Sequence, residues 1–159
     1  MTGTSSLNVR RADHVGFSVA SLDEALRFWV EGLGARLVRT GEMGGAFLRQ
    51  VTGAHGARVR MAVVSFAGQA IELLEYQGTS RPVAASAQFD PGFAHLALVV
   101  DDLDAILSRI AGHGWKPQGV PQPIASGERT GTRVVYAVGP DGSTIEFMQP
   151  PGMGTAVPT

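Results

Sequence analysis

The chain has 159 residues, 44% of them hydrophobic and 17% charged, a length and balance that suit one globular domain or two small subdomains around one core and exclude wholesale disorder. Its 13 basic and 14 acidic side chains leave a formal net charge of -1, so there is no basic footprint for wrapping nucleic acid. With no cysteine, disulfides, thiolate zinc sites, iron–sulfur clusters and cysteine nucleophiles are excluded, and a metal could be held only by histidines and carboxylates.

No apolar run reaches the length of a membrane span, and the start MTGTSSLNVR has no apolar signal core. The expected location is the cytoplasm, with no membrane or nucleic-acid partner. Residues 1–11 and 151–159 read as flexible tails.

In chain order, Asp13–Ala20 alternates as a strand, with Val15, Phe17 and Val19 on one face and His14, Gly16 and Ser18 on the other. Ser21 with Glu24 forms a capping box, and Leu22, Ala25, Leu26 and Trp29 make the apolar stripe of a helix that Gly32 and Gly34 end. Strands are predicted at Ala35–Arg39, Phe47–Val51, Ala57–Phe66 and Ala70–Tyr76. A polar, proline-containing connector spans 78–92. The pattern then restarts with a strand at Phe93–Val100 and a helix capped by Asp101 or Asp102. Strands follow near Lys116–Gln118, Ala125–Gly127 and Arg133–Val138, and after a GPDG turn at Ser143–Gln149.

The second half repeats the first. Aligning His14 with His95 also pairs Val19 with Val100, Leu22 with Leu103, Asp23 with Asp104 and Leu26 with Leu107, while GQAIE at 68–72 answers GSTIE at 142–146. The order of elements is a duplicated βαβββ unit, at 12–77 and 93–150. The expected class is α+β, with the two modules pairing into an open, cup-shaped mixed sheet and the helices outside.

Four polar residues stand against apolar strands: His14, Glu72, His95 and Glu146. Alternation puts each opposite the bulky aliphatics, on the concave side of the sheet. A buried carboxylate without a counter-charge is costly. Two imidazoles and two carboxylates around one divalent ion (Zn, Ni, Co, Mn or Fe) remove that cost together. Leu74, Tyr76, Val99 and Met148 share that side, so a small-molecule substrate with an apolar part is expected. Arg49, Arg58, Arg60, Arg129 and Arg133 are candidate grips for a substrate anion. Glu42, His55 and His113 read as loop or helix-end residues. The expected core comprises Val15, Phe17, Leu26, Trp29, Leu73, Leu96, Leu98, Leu107, Ile110 and Phe147.

The strings DHVGFSV, HLALVVDDLDA, IELLEY and PDGSTIEFMQP resemble the vicinal oxygen chelate superfamily, which includes glyoxalase I, methylmalonyl-CoA epimerase, extradiol dioxygenases, fosfomycin-resistance enzymes and bleomycin-binding proteins. The resemblance covers about residues 12–150. It implies two βαβββ modules around one divalent metal, with His14, Glu72, His95 and Glu146 as ligands. The His/Glu/His/Glu set is most similar to that of bacterial glyoxalase I. The implied activity is a lyase or isomerase that chelates an oxygenated substrate and moves a proton through an enolate-like intermediate. Glu146 is the first choice of base and Glu72 the second. The alternatives are an Fe(II) extradiol-type dioxygenase using His14, His95 and Glu146, and a metal-free small-molecule binding protein. In such folds the ligands come from one chain or are shared across a homodimer.

Overall fold

The computed structural model describes residues 9–79 and 87–152. Most of the expected tails (1–8 and 153–159) and part of the connector (80–86) lie outside the described residues. The first module runs β1 (Val15–Ser18), α1 (Leu22–Leu26), β2 (Arg36–Gly44), α2 (Gly45–Thr52), β3 (Arg58–Phe66) and β4 (Gln69–Gln77). The second runs β5 (Leu96–Val99), α3 (Leu103–Ala111), β6 (Lys116–Pro117), β7 (Gln122–Pro123), β8 (Arg133–Val138) and β9 (Thr144–Gln149). The class is α+β, with two mixed sheets and no closed barrel.

Each sheet is built alike. The first has the order β1-β4-β3-β2, and the second β5-β9-β8-β6 with β7 also on β8. In both, the opening strand lies parallel to the closing strand, and the closing strand is antiparallel to the one before it. Among the described residues β1 pairs only with β4 and β5 only with β9, so each sheet ends on an open edge and the two are not joined by a strand ladder within the chain.

Both major helices begin as the sequence predicts. Ser21 Oγ accepts from the Glu24 N–H at 3.3 Å, and Asp102 accepts from the Ala105 N–H at 2.9 Å. A second anchor was not foreseen. The Leu22 N–H donates to Glu75 at 2.7 Å, and Arg60 ties Glu75 to Asp23. In the repeat the Leu103 N–H donates to Gln149 at 3.0 Å, and Arg133 links Gln149 to Asp104. Each module thus pins its helix start to its own sheet.

Two predicted strands and the placement of one residue are corrected. Phe47–Val51 is not a strand but the middle of α2. Only Leu48 of that stretch is buried, Phe47 and Val51 are exposed one turn apart, and Gly53 closes the helix in the left-handed conformation at φ 72°. A short apolar run does not itself distinguish strand from helix. The expected strand at Ala125–Gly127 is replaced by the two-residue β7 just before it. Glu42, expected in a loop, is on β2, opposite Arg60.

The main core is one continuous cluster from both modules. It joins Ala62, Val64, Ile71 and Leu73 of the first sheet to Leu98, Val135, Ala137, Ile145 and Phe147 of the second, with the helices between. Of the expected core, Trp29, Leu73, Leu98, Ile110 and Phe147 are buried, and Phe17, Leu26, Leu96 and Leu107 pack partly against them. Val15 is the exception, 36% exposed on the open edge. Phe28 was not expected inside. After α1 the chain widens into a π-helix over Arg27–Gly32, which turns both Phe28 and Trp29 inward. Phe28 then stacks on Trp115 of the other module, centroids 4.0 Å apart and 11° from parallel. A smaller cluster, Leu48 with Val59, Met61 and Val63, lies on the opposite face of the first sheet.

Candidate functional site

Alternation along β4 decides where Glu72 goes. Ile71 and Leu73 are fully buried in the main core, so Glu72 faces the other way with Leu74 and Tyr76. Gly16 of β1 stands opposite Glu72, and His14, just before β1, extends the same face. His14 Nε2 lies 3.2 Å from Glu72 Oε2. Its other ring nitrogen is 3.0 Å from Asp13 Oδ2. With Nδ1–H donated to Asp13, the Nε2 lone pair is left facing Glu72, the way an outer carboxylate orients a metal-binding imidazole. Hydrogen bonding from His14 and Arg11 holds the Asp13 carboxyl below its usual range.

The second module repeats the pair in different surroundings. Ile145 and Phe147 are buried, so Glu146 lies on the open face opposite Ala97. His95, just before β5, brings Nε2 to 3.1 Å from Glu146 Oε2. Here aromatic rings frame the imidazole. Phe93 stacks at 6.1 Å, and Tyr136 meets it edge-on at 5.0 Å. Tyr136 is the cross-strand partner of Glu146. Burial, with the charge of Glu146, raises its phenol pKa, so it is a hydrogen-bond donor at neutral pH.

In both pairs the carboxylate is sheltered, at 17% and 18% exposure, while the imidazole is 41% and 33% exposed; a ligand would meet the ring first. Donors that each sit about 2.0–2.2 Å from a shared ion stand roughly 3 Å apart. Each pair therefore has the spacing and donor chemistry of two neighbouring metal ligands.

The four do not meet in one chain. Among the described residues no three His, Asp or Glu side chains are close enough to hold one ion. Within one chain the four residues stand as two separate pairs, one on each sheet. The reason is the shared core: it occupies the face of each sheet that α1 or α3 covers, which leaves both His/Glu faces outside it.

The remaining sequence candidates separate clearly. Arg60 and Arg133 are taken up by the helix anchors on the core side, so they are structural. His113 packs edge-on against Phe28. His55, Arg49 and Arg58 line a recess of about 670 Å³ beside α2, away from the pairs. Arg129 reaches the open face of the second sheet, 3.5 Å from Met148 Sδ. Sequence reasoning missed Tyr136 and Asp13. Counting across the GPDG hairpin finds Tyr136, since Val138 opposite Thr144 puts it opposite Glu146. Asp13 was signalled only by its place beside His14.

A family model described as the Glyoxalase/Bleomycin resistance protein/Dioxygenase superfamily matches residues 11–147. A 2-epi-5-epi-valiolone epimerase of Actinomyces sp. is 30% identical over 156 residues, covering 95% of this chain and 85% of the relative. A probable lactoylglutathione lyase of Synechocystis sp. is 30% identical over 137 residues, covering 86% and 92%. The crystal structure of a glyoxalase family protein from Bacillus cereus aligns with a TM-score of 0.77 at 25% identity, over 93% of this chain and 99% of that one.

Proposed function

The chain belongs to the Glyoxalase/Bleomycin resistance protein/Dioxygenase superfamily, and from that premise we propose that it is a divalent-metal-dependent isomerase or lyase of the glyoxalase and epimerase kind, acting on a small oxygenated substrate. The observation that carries the reading is the duplicated pair, His14 with Glu72 and His95 with Glu146, at 3.2 and 3.1 Å. Two donors are too few for a catalytic centre, which takes at least three protein ligands. A second copy of the chain supplies the rest, with the first half-site of one copy facing the second half-site of the other. The open edges of β1 and β5 support this, since each half-site borders one of them and an unpaired strand is a template for association.

When bound, the cation supplies Lewis acidity toward a substrate carbonyl oxygen. The protein's own groups move the proton. Glu146 accepts it from the carbon beside the carbonyl; the C–H electron pair passes into the carbonyl as an enolate; the proton then returns to the same or the adjacent carbon. Glu72, from the other half, is the second carboxylate. An epimerisation that takes the proton from one face and returns it to the other uses both. The names of the two relatives support this class of chemistry. Tyr136 offers a neutral donor to a substrate oxygen, and Leu74 and Tyr76 offer an apolar wall.

The test is metal content per chain, with proton exchange at the substrate carbon in deuterated water, across hemithioacetals and 2-hydroxy ketones. About one ion per chain, lost in both His14→Ala and His95→Ala, is expected. Ligand binding without metal would replace the proposal with a sequestering protein, and oxygen consumption with Fe(II) would replace it with a dioxygenase.

A further inference from the structure

The open faces carry two arginines that the helix anchors do not use. Arg39 of β2 stands opposite Val63, and Val63 stands opposite Glu72, so all three share the face of the first half-site. Arg39 Nη1 turns to the sulfur of buried Met61 at 3.7 Å. Arg129, in the turn before β8, places Nη1 3.5 Å from the sulfur of buried Met148, two residues beyond Glu146 on the same face of β9. Among the described residues neither guanidinium has a carboxylate partner, unlike Arg60 and Arg133 on the core side. A thioether is a weak acceptor. Each guanidinium carries five N–H donors, so most are left for something else.

Charge arithmetic says what that is. In the proposed composite centre Asp13 is matched by Arg11, while Glu72 and Glu146 contribute two negative charges and a divalent ion two positive ones. These cancel, and Arg39 from one copy with Arg129 from the other leave the site positive. We infer that the substrate is an anion, a small hydroxy-carbonyl compound bearing a carboxylate or a phosphate, and that Arg129 and Arg39 grip that group on either side of the His/Glu pairs. This rests on the metal-dependent reading above. It goes beyond it by fixing the substrate's charge and the residues that select it. Planar guanidinium suits both oxyanions, since it binds either through two parallel N–H bonds.

The test titrates the full-length, metal-replete protein by calorimetry with three compounds that share a hydroxy-ketone group and differ in charge: dihydroxyacetone, hydroxypyruvate and dihydroxyacetone phosphate. Charge-assisted hydrogen bonds should make at least one charged compound bind about tenfold to a hundredfold more tightly than dihydroxyacetone. The better of the two tells carboxylate from phosphate. Arg129→Gln and Arg39→Gln should each reduce the preference, and the double variant should abolish it with dihydroxyacetone binding and melting temperature unchanged. Metal content is measured in the same samples. Absence of metal counts against the metal-dependent reading. Full metal with no charge preference, no binding of either charged compound, or a preference that survives in the double variant overturns the anion assignment.

Discussion

Mixing two defective variants should restore function. His14→Ala damages the first half-site in every chain, and His95→Ala damages the second. In a dimer of either variant, both composite centres lack an imidazole. In a mixed dimer one centre joins the two intact halves, and the other joins the two damaged ones. Random pairing makes roughly half the dimers mixed, each with one good centre of two, so about a quarter of the wild-type centres return. Affinity tags of two kinds isolate the mixed dimer, where the expected recovery rises to about half. A centre built within one chain would return none, because each chain keeps its own damage. The figures follow from where the structure puts the pairs: on separate sheets, with no third His, Asp or Glu close enough to share an ion with either among the described residues. Bound metal and proton exchange are read on the same mixed sample. A mixed dimer of the correct mass that holds no metal and exchanges no proton would refute the shared centre, as would a wild-type monomer with full metal.

Three further outcomes are expected. Glu146→Gln should lower turnover by about 10²–10⁴-fold, the usual contribution of a positioned base, with metal largely retained and Glu72→Gln milder; full proton exchange in Glu146→Gln with none in Glu72→Gln would reverse the roles. Gly139→Ala should destabilise the chain by about 1–3 kcal/mol in denaturant titration, because the added methyl would fall 2.7 Å from the Trp115 ring; a change near zero would mean the seam can yield. Glu75 is held below its ordinary pKa of 4.5, chiefly by the Leu22 N–H, so its contribution to stability is complete above about pH 4.5 and is lost as the pH falls through the depressed value. Glu75→Gln should flatten that part of the acid limb, and superimposable limbs between pH 3 and 6 would show that the anchor does not titrate.

How far the sequence reached depends on the kind of pattern. Alternation was legible wherever one face of a strand enters a core. Ile71 and Leu73 around Glu72, and Ile145 and Phe147 around Glu146, set each carboxylate on the face opposite the buried aliphatics without coordinates; that this face is the concave side of one cup was not something alternation could decide. The repeat was legible too, down to the helix caps. Phe47–Val51 was not, because five apolar and polar residues in mixed order satisfy a strand as well as one turn and a half of helix. Phe28 was hidden because a π-helical turn breaks the 3.6-residue period on which the stripe was read. The helix anchors were half visible. Asp23 and Asp104 stood out by their equivalence, but Arg60 and Arg133 looked like substrate grips until their cross-strand partners, Glu75 and Gln149, were known.

The relation between the two half-sites was not legible at all, and the reason is energetic. A repeat fixes what each module contains and says nothing of which faces meet. Two modules with one apolar face each can bury those faces against each other, and that burial drives the choice. This chain does so, through Phe28 on Trp115 and through Arg109, which donates to the Glu31 carbonyl at 2.9 Å. Once the faces covered by α1 and α3 share a core, the His/Glu faces are left on the far side of both sheets, the first of them partly covered by α2. Trp115 is the residue on which this turns: it is 5% exposed, it has no counterpart among the repeat's matched positions, and Gly139 leaves room for its ring. The seam that makes one chain stable is thus also what keeps its two His/Glu pairs apart, which is why the proposed function needs a second chain to complete a centre.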